Sequence, residues 1–83
     1  MRVRRLELGN RNIVGKRVTE ARNAQGIKQV ELLARLQLAG IDISVSALSQ
    51  LEGQKRPVTD IELNALADAL NVSVNWLLDR KES

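Results

Sequence analysis

QVELLARLQLAGIDISVSALSQLE, from Gln29 to Glu52, carries two short helical patterns separated by a Gly-containing break. In the second pattern Ser44 stands where an N-cap belongs, its hydroxyl placed to accept from a first-turn amide. Leu48 and Leu51, three apart, share an inward face, and the opposite face is Val45, Ser46, Ser49 and Gln50. An ordinary exposed helix puts Lys and Glu there, because long charged side chains solvate well and favour helix. This one offers small hydroxyls, one amide and one methyl-bearing side chain. Gln pairs bidentately with an adenine edge, Ser donates or accepts, and Val meets a thymine methyl. A face so bare of charge and bulk suits insertion into the major groove of DNA. Taken by itself it equally suits a short helix with a Ser-rich surface, since Ser and Gln are common surface residues.

On either side of this stretch the apolar spacing predicts further helices. The first spans about 12–24, with Val14, Val18 and Ala21 on one face and Gly26 just past its end as a stop. The second covers about 29–38, with Leu32, Leu33 and Leu36 inward, and the third covers 45–52, ended by Gly53. Pro57 breaks the chain. Thr59-Asp60-Ile61-Glu62 then reads as a capping box for a fourth helix, whose Leu63, Leu66, Ala67 and Leu70 form a stripe. Asn71 suits a left-handed terminator, and Ser73 caps a short last helix carrying Val74, Trp76, Leu77 and Leu78. Trp76 and the paired leucines either close the core or leave an apolar edge for a partner; both hold if Trp76 points inward and one leucine outward.

Composition sets the outer bounds. Eighty-three residues make one small domain, and the 43% apolar content is almost wholly Leu, Val, Ile and Ala, with Trp76 the single aromatic. Absence of Cys removes a disulfide scaffold and thiolate metal sites, and absence of His removes the commonest general base and metal ligand. Nothing resembles a nucleophile with its base, a phosphate-cradling Gly loop or a metal cluster, so no enzyme, metal or cofactor is expected. No apolar run reaches membrane-span length, and MRVRRLELGNRN is too interrupted for a signal peptide, so a cytoplasmic protein is expected. The formal net charge of +3 is unevenly spread: residues 1–35 carry nine basic against three acidic side chains, 36–58 balance, and from 59 onward two basic face five acidic. A lopsided charge of this kind orients a protein on a polyanion, or is simply a solvated face.

Three pieces in order, VGKRVTEARNAQGIKQVELLARL, SALSQLEGQKRP and VSVNWLL, resemble the XRE and lambda-repressor-like helix-turn-helix family over about residues 13–78. The resemblance implies an all-α, compact five-helix lambda-repressor-like domain with a helix-turn-helix. It implies a largely buried ion pair of Arg22 with Glu52, and a Gln29 that touches phosphate and braces the recognition helix. Val45, Ser46 and Gln50 fall on base-reading positions with Ser49 beside them, and Lys55 and Arg56 lie in a loop that reaches phosphate. Three positions depart from the family pattern. The turn at 37–43 is lengthened, Leu33 replaces a small residue that lets the two helices approach, and Lys28 stands where Thr or Ser caps the second helix. Lys28 cannot cap, yet open amides beside a positive charge still suit a phosphate.

The expectation is therefore a sequence-specific DNA-binding transcriptional regulator, most simply a bacterial or phage repressor. Val45, Ser46, Ser49 and Gln50 would read bases, while Lys28, Gln29, Ser44, Lys55 and Arg56 would meet phosphates of double-stranded DNA. It would act as a homodimer on a two-fold related operator, weak or formed only on DNA, with Leu77 and Leu78 the first candidate contact and the N-terminal arm the second. The competing reading is an antitoxin or adaptor of the same fold that mainly holds a protein partner. Residues 1–11 are expected as a basic arm, 12–79 as the domain and 80–83 as a tail. The arm admits three readings: a minor-groove contact, a mobile terminus, or a strand formed by MRVRRLEL.

Overall fold

The computed structural model of the chain describes residues 9–80. The basic arm up to Leu8, its three readings included, and the tail from Lys81 lie outside the described residues. Five helices follow in order: α1 (Gly15–Ala24), α2 (Gln29–Leu38), α3 (Val45–Glu52), α4 (Asp60–Leu70) and α5 (Val74–Leu77). α3 packs on α1 and α2, and α4 packs on α1, α2 and α5, so the recognition candidate sits at one side of a core that α4 closes from the other. Leu32, Leu36, Leu48, Leu51, Leu66, Leu70 and Leu77 are fully buried there. Burying one such side chain contributes about 1.5–3 kcal/mol, which a domain this small needs from each.

All five helices end alike. Each closes on a residue of positive φ, namely Gly26, Gly40, Gln54, Asn71 and Asp79, and the residue after it donates its N–H to a carbonyl five positions back. This Schellman closure satisfies carbonyls a helix end would otherwise orphan. α3 ends at Glu52 with Gly53 as its C-cap, as expected; Gly53 has φ −83°, and the left-handed residue that completes the closure is Gln54. Gln54 is held by its own side chain, whose Nε2 donates to the Asn12 carbonyl at 2.7 Å.

The lengthened turn is built rather than loose. Gly40, at φ +90°, ends α2, Ile41 N–H donates to Leu36 O at 2.9 Å, and Ile43 then drops into the core. Ile43 thus anchors the chain immediately before Ser44, whose hydroxyl accepts from Ala47 N–H and starts α3. Leu33 is half-buried and packs against the edge of the core.

α5 differs from its expectation in detail. Leu77 is the fully buried residue, so it cannot be a dimer contact, whereas Trp76 is half-buried with the Arg17 guanidinium 4.5 Å from its ring centroid. Leu78 is half-buried. The expected start of α1 also shifts: Asn12 lies outside the helix and fixes the turn leading into it, its Oδ1 accepting from Val14 N–H and Gly15 N–H at 3.0 and 2.8 Å.

Candidate nucleic-acid interface

The outward face of α3 follows from its two caps and its leucines. With Leu48 and Leu51 fully buried, Val45, Ser46, Ser49 and Gln50 are all left exposed. Gln50 and Ser46 have no side-chain partner among the described residues. The face carries no charge at all.

Behind that face sits Glu52, the one buried charged residue among those described, with 7% exposure. Arg22 grips it with two bonds, Nε to Oε2 at 2.8 Å and NH2 to Oε1 at 3.1 Å, and spends its remaining terminal nitrogen on the Ile27 carbonyl at 3.0 Å. Gln29, first residue of α2, donates its amide to Glu52 Oε1 at 2.9 Å. Its own Oε1 accepts from Ser49 Oγ at 3.2 Å. One carboxylate therefore ties α1, α2 and α3 together. Charge-assisted bonds of this kind are strong, and low exposure strengthens them further.

A second set of bonds fixes the far end of α3. Asn12 Nδ2 donates to Leu51 O at 3.1 Å and Arg56 O at 2.8 Å, so this one side chain ties the turn before α1 to the last turn of α3 and to the loop after it. Gly15 packs so closely under α3 that a side chain there would overlap the Leu51 and Glu52 carbonyl oxygens. Gly9 N–H donates to Gly53 O at 2.8 Å and Arg11 N–H to Gln54 O at 2.9 Å, so residues 9–11 are docked on the loop after α3. Asn12 and Gly15 escaped the sequence reading; an Asn three residues before a Gly at a helix start was the available signal.

The cations divide into two kinds. Lys55 is exposed in that loop, and Lys28 is exposed at the start of α2, where no side chain caps the helix. Lys16 joins them: with Thr19, Arg22, Gln29, Ser49 and Gly53 it lines a concave surface where α1, α2 and α3 meet. Arg56 is different. Its guanidinium faces Glu62, NH1 to Oε1 at 3.3 Å and NH2 to Oε2 at 3.1 Å, and Glu62 also accepts from Thr59 N–H in the capping box of α4. Burial alone would raise the Glu62 carboxyl, but the Arg56 hydrogen bond and charge and the Thr59 bonds outweigh it and hold it below the ordinary carboxylate value. Arg56 is thus a structural cation first.

Two short helices meeting across a core, the second with a bare outward face, is the geometry of a helix-turn-helix. The family model described as Helix-turn-helix matches residues 18–77, most of the chain. The chain belongs to the XRE and lambda-repressor-like helix-turn-helix family. No curated relative and no solved structure matches it. As a helix-turn-helix domain it is a DNA-binding module, and α2 and α3 are the two helices on either side of its turn. Among the described residues no helix is long and apolar enough to cross a membrane.

Proposed function

We propose that this helix-turn-helix protein is a sequence-specific transcriptional regulator, a repressor of bacterial or phage type, that lays α3 in the major groove and reads bases with Val45, Ser46, Ser49 and Gln50. What carries the reading is an exposed, uncharged helix face braced from behind by a buried carboxylate. Base reading needs side chains held on rigid elements, and the Arg22–Glu52–Gln29 cluster supplies that rigidity. Lys28, Gln29, Ser44 and Lys55, with the first amides of α2 and α3, set the register on phosphates. Arg56 adds long-range positive potential more than a direct contact, because Glu62 already holds it.

One α3 of eight residues reaches only a few base pairs. Each mismatched pair costs about 1–3 kcal/mol, so one copy falls short of selecting a site in a genome. Two copies on a two-fold operator, with recognition helices roughly 34 Å apart in successive major grooves, supply the rest. The protein is then a weak dimer or one that pairs on DNA.

The test is a titration of a palindromic site against its single half-site, with stoichiometry measured at each point. Two protomers per palindrome and a large gain over the half-site support the proposal. Tight one-to-one binding to the half-site, with no gain from the second half, removes the dimer. Weak DNA binding without sequence preference favours the adaptor reading.

A further inference from the structure

The hydrogen bonds behind α3 run in one direction. Arg22 has only donors, and the Glu52 carboxylate has only acceptors. Gln29 must therefore turn its NH2 toward Glu52, which leaves its carbonyl oxygen toward Ser49. A carbonyl oxygen has no proton to give, so the Ser49 hydroxyl donates to it, 3.2 Å away. Ser49 is nonetheless exposed. What it presents outward is oxygen lone pairs and no proton.

A free serine on a recognition helix is ambiguous, able to donate to a base oxygen or accept from a base amine. Ser46, exposed and without a hydrogen-bond partner among the described residues, keeps that freedom. Ser49 has lost it. Resting on the regulator reading above, we infer that Ser49 is a specificity-determining residue that acts only as an acceptor, taking a hydrogen bond from an exocyclic amine of the major groove, N6 of adenine or N4 of cytosine. An oxo group in the same place, O4 of thymine or O6 of guanine, meets lone pairs with lone pairs and is rejected. Gln29 is the positioning residue, and the buried Arg22–Glu52 pair sets its orientation. Disturbing the ion pair therefore changes which base is preferred as well as how firmly α3 is held.

The experiment uses the full chain and the duplex it prefers, with affinity measured by fluorescence anisotropy. Each adenine is replaced in turn by purine and each cytosine by 2-pyrimidinone, which deletes the amine alone. At one position amine deletion should weaken the wild-type protein about five- to tenfold, the worth of one hydrogen bond, and Ser49→Ala should lose that sensitivity. At the same position, inverting the base pair to put an oxo group in place of the amine should be penalised by the wild type. Gln29→Met frees the Ser49 proton, so that penalty should shrink by a similar factor, even though overall affinity falls for every duplex. A residue with only a structural role would lower affinity without moving preference at one base pair. The inference is overturned if Ser49→Ala responds to every amine deletion as the wild type does, or if the inversion penalty is unchanged in Gln29→Met. Failure to find any preferred duplex is a different result, and it overturns the regulator reading itself. Far-UV circular dichroism of both variants establishes that they fold.

Discussion

Removing the Glu52 carboxylate should cost this domain a large share of its stability. In the folded protein it accepts three hydrogen bonds, at 2.8 and 3.1 Å from Arg22 and 2.9 Å from Gln29. Glu52 is 7% exposed and the Arg22 side chain 14%, so Glu52→Ala leaves a guanidinium that water cannot easily reach. Stranding one member of a buried pair costs about 3–5 kcal/mol. Domains of this size have roughly 4–12 kcal/mol in all, and each kcal/mol lost lowers Tm by about 4–8 °C. Glu52→Ala should therefore lower Tm by roughly 12–40 °C and leave the protein marginal at room temperature. Replacing both residues, as Arg22→Met with Glu52→Met, removes both charges and fills the volume, so the double variant should be more stable than the sum of its singles implies. Urea unfolding followed at 222 nm for wild type, both singles and the double gives the coupling directly. A Glu52→Ala loss under about 1 kcal/mol, or strict additivity in the cycle, would refute the claim that this pair is desolvated.

Gln50→Ala should cost about 1–3 kcal/mol on the preferred duplex and hardly change binding to unrelated DNA, as competition titrations would show; equal losses on both would remove Gln50 as a base reader. Lys55→Ala should flatten the plot of log affinity against log salt by about 0.9, the loss of one phosphate contact, and Arg56→Ala should flatten it less because Arg56 is held by Glu62. The Glu62 carboxyl titrates below its ordinary value of 4.5 in the folded protein, so its contribution is complete above that pH and is lost as pH falls through the folded value. Unfolding free energy of the wild type should therefore drop below about pH 4.5 more steeply than that of Glu62→Gln, in urea titrations across the acid range. Gln54→Gly relieves a left-handed residue at φ 60° but removes the bond to Asn12, so the two effects should nearly cancel in Tm.

Much of the fold was legible because its signals are local. The Thr59–Glu62 capping box, Asn71 at φ 57°, Gly26 at φ 71° and the leucine spacing of α2 and α3 are each written within a few residues of where they act. Features that join distant positions were not. Asn12 bonds to carbonyls at Leu51 and Arg56, roughly forty residues on, and nothing near Asn12 announces them. Gly53 is the stop after α3 that the sequence offered, but the left-handed turn beside it falls on Gln54, whose side chain bonds back to Asn12. On the last helix Leu77 and Trp76 carry similar apolar weight in the sequence; only the packing of α1 and α4 shows that Leu77 is enclosed and Trp76 lies under Arg17. Arg56 read as a free loop cation for the same reason, since its pairing with Glu62 depends on how the chain turns at Pro57. The outward face of α3 was legible because it is defined by what it lacks.

The central claim is that α3 reads sequence, and selection of bound duplexes from a random pool, by the full chain at moderate salt, tests it most directly. The account predicts enrichment of one motif made of two inverted half-sites a helical turn apart, bound about a thousandfold or more tighter than unrelated DNA. A pool that stays random after repeated rounds, bound with an affinity set by salt alone, would contradict it.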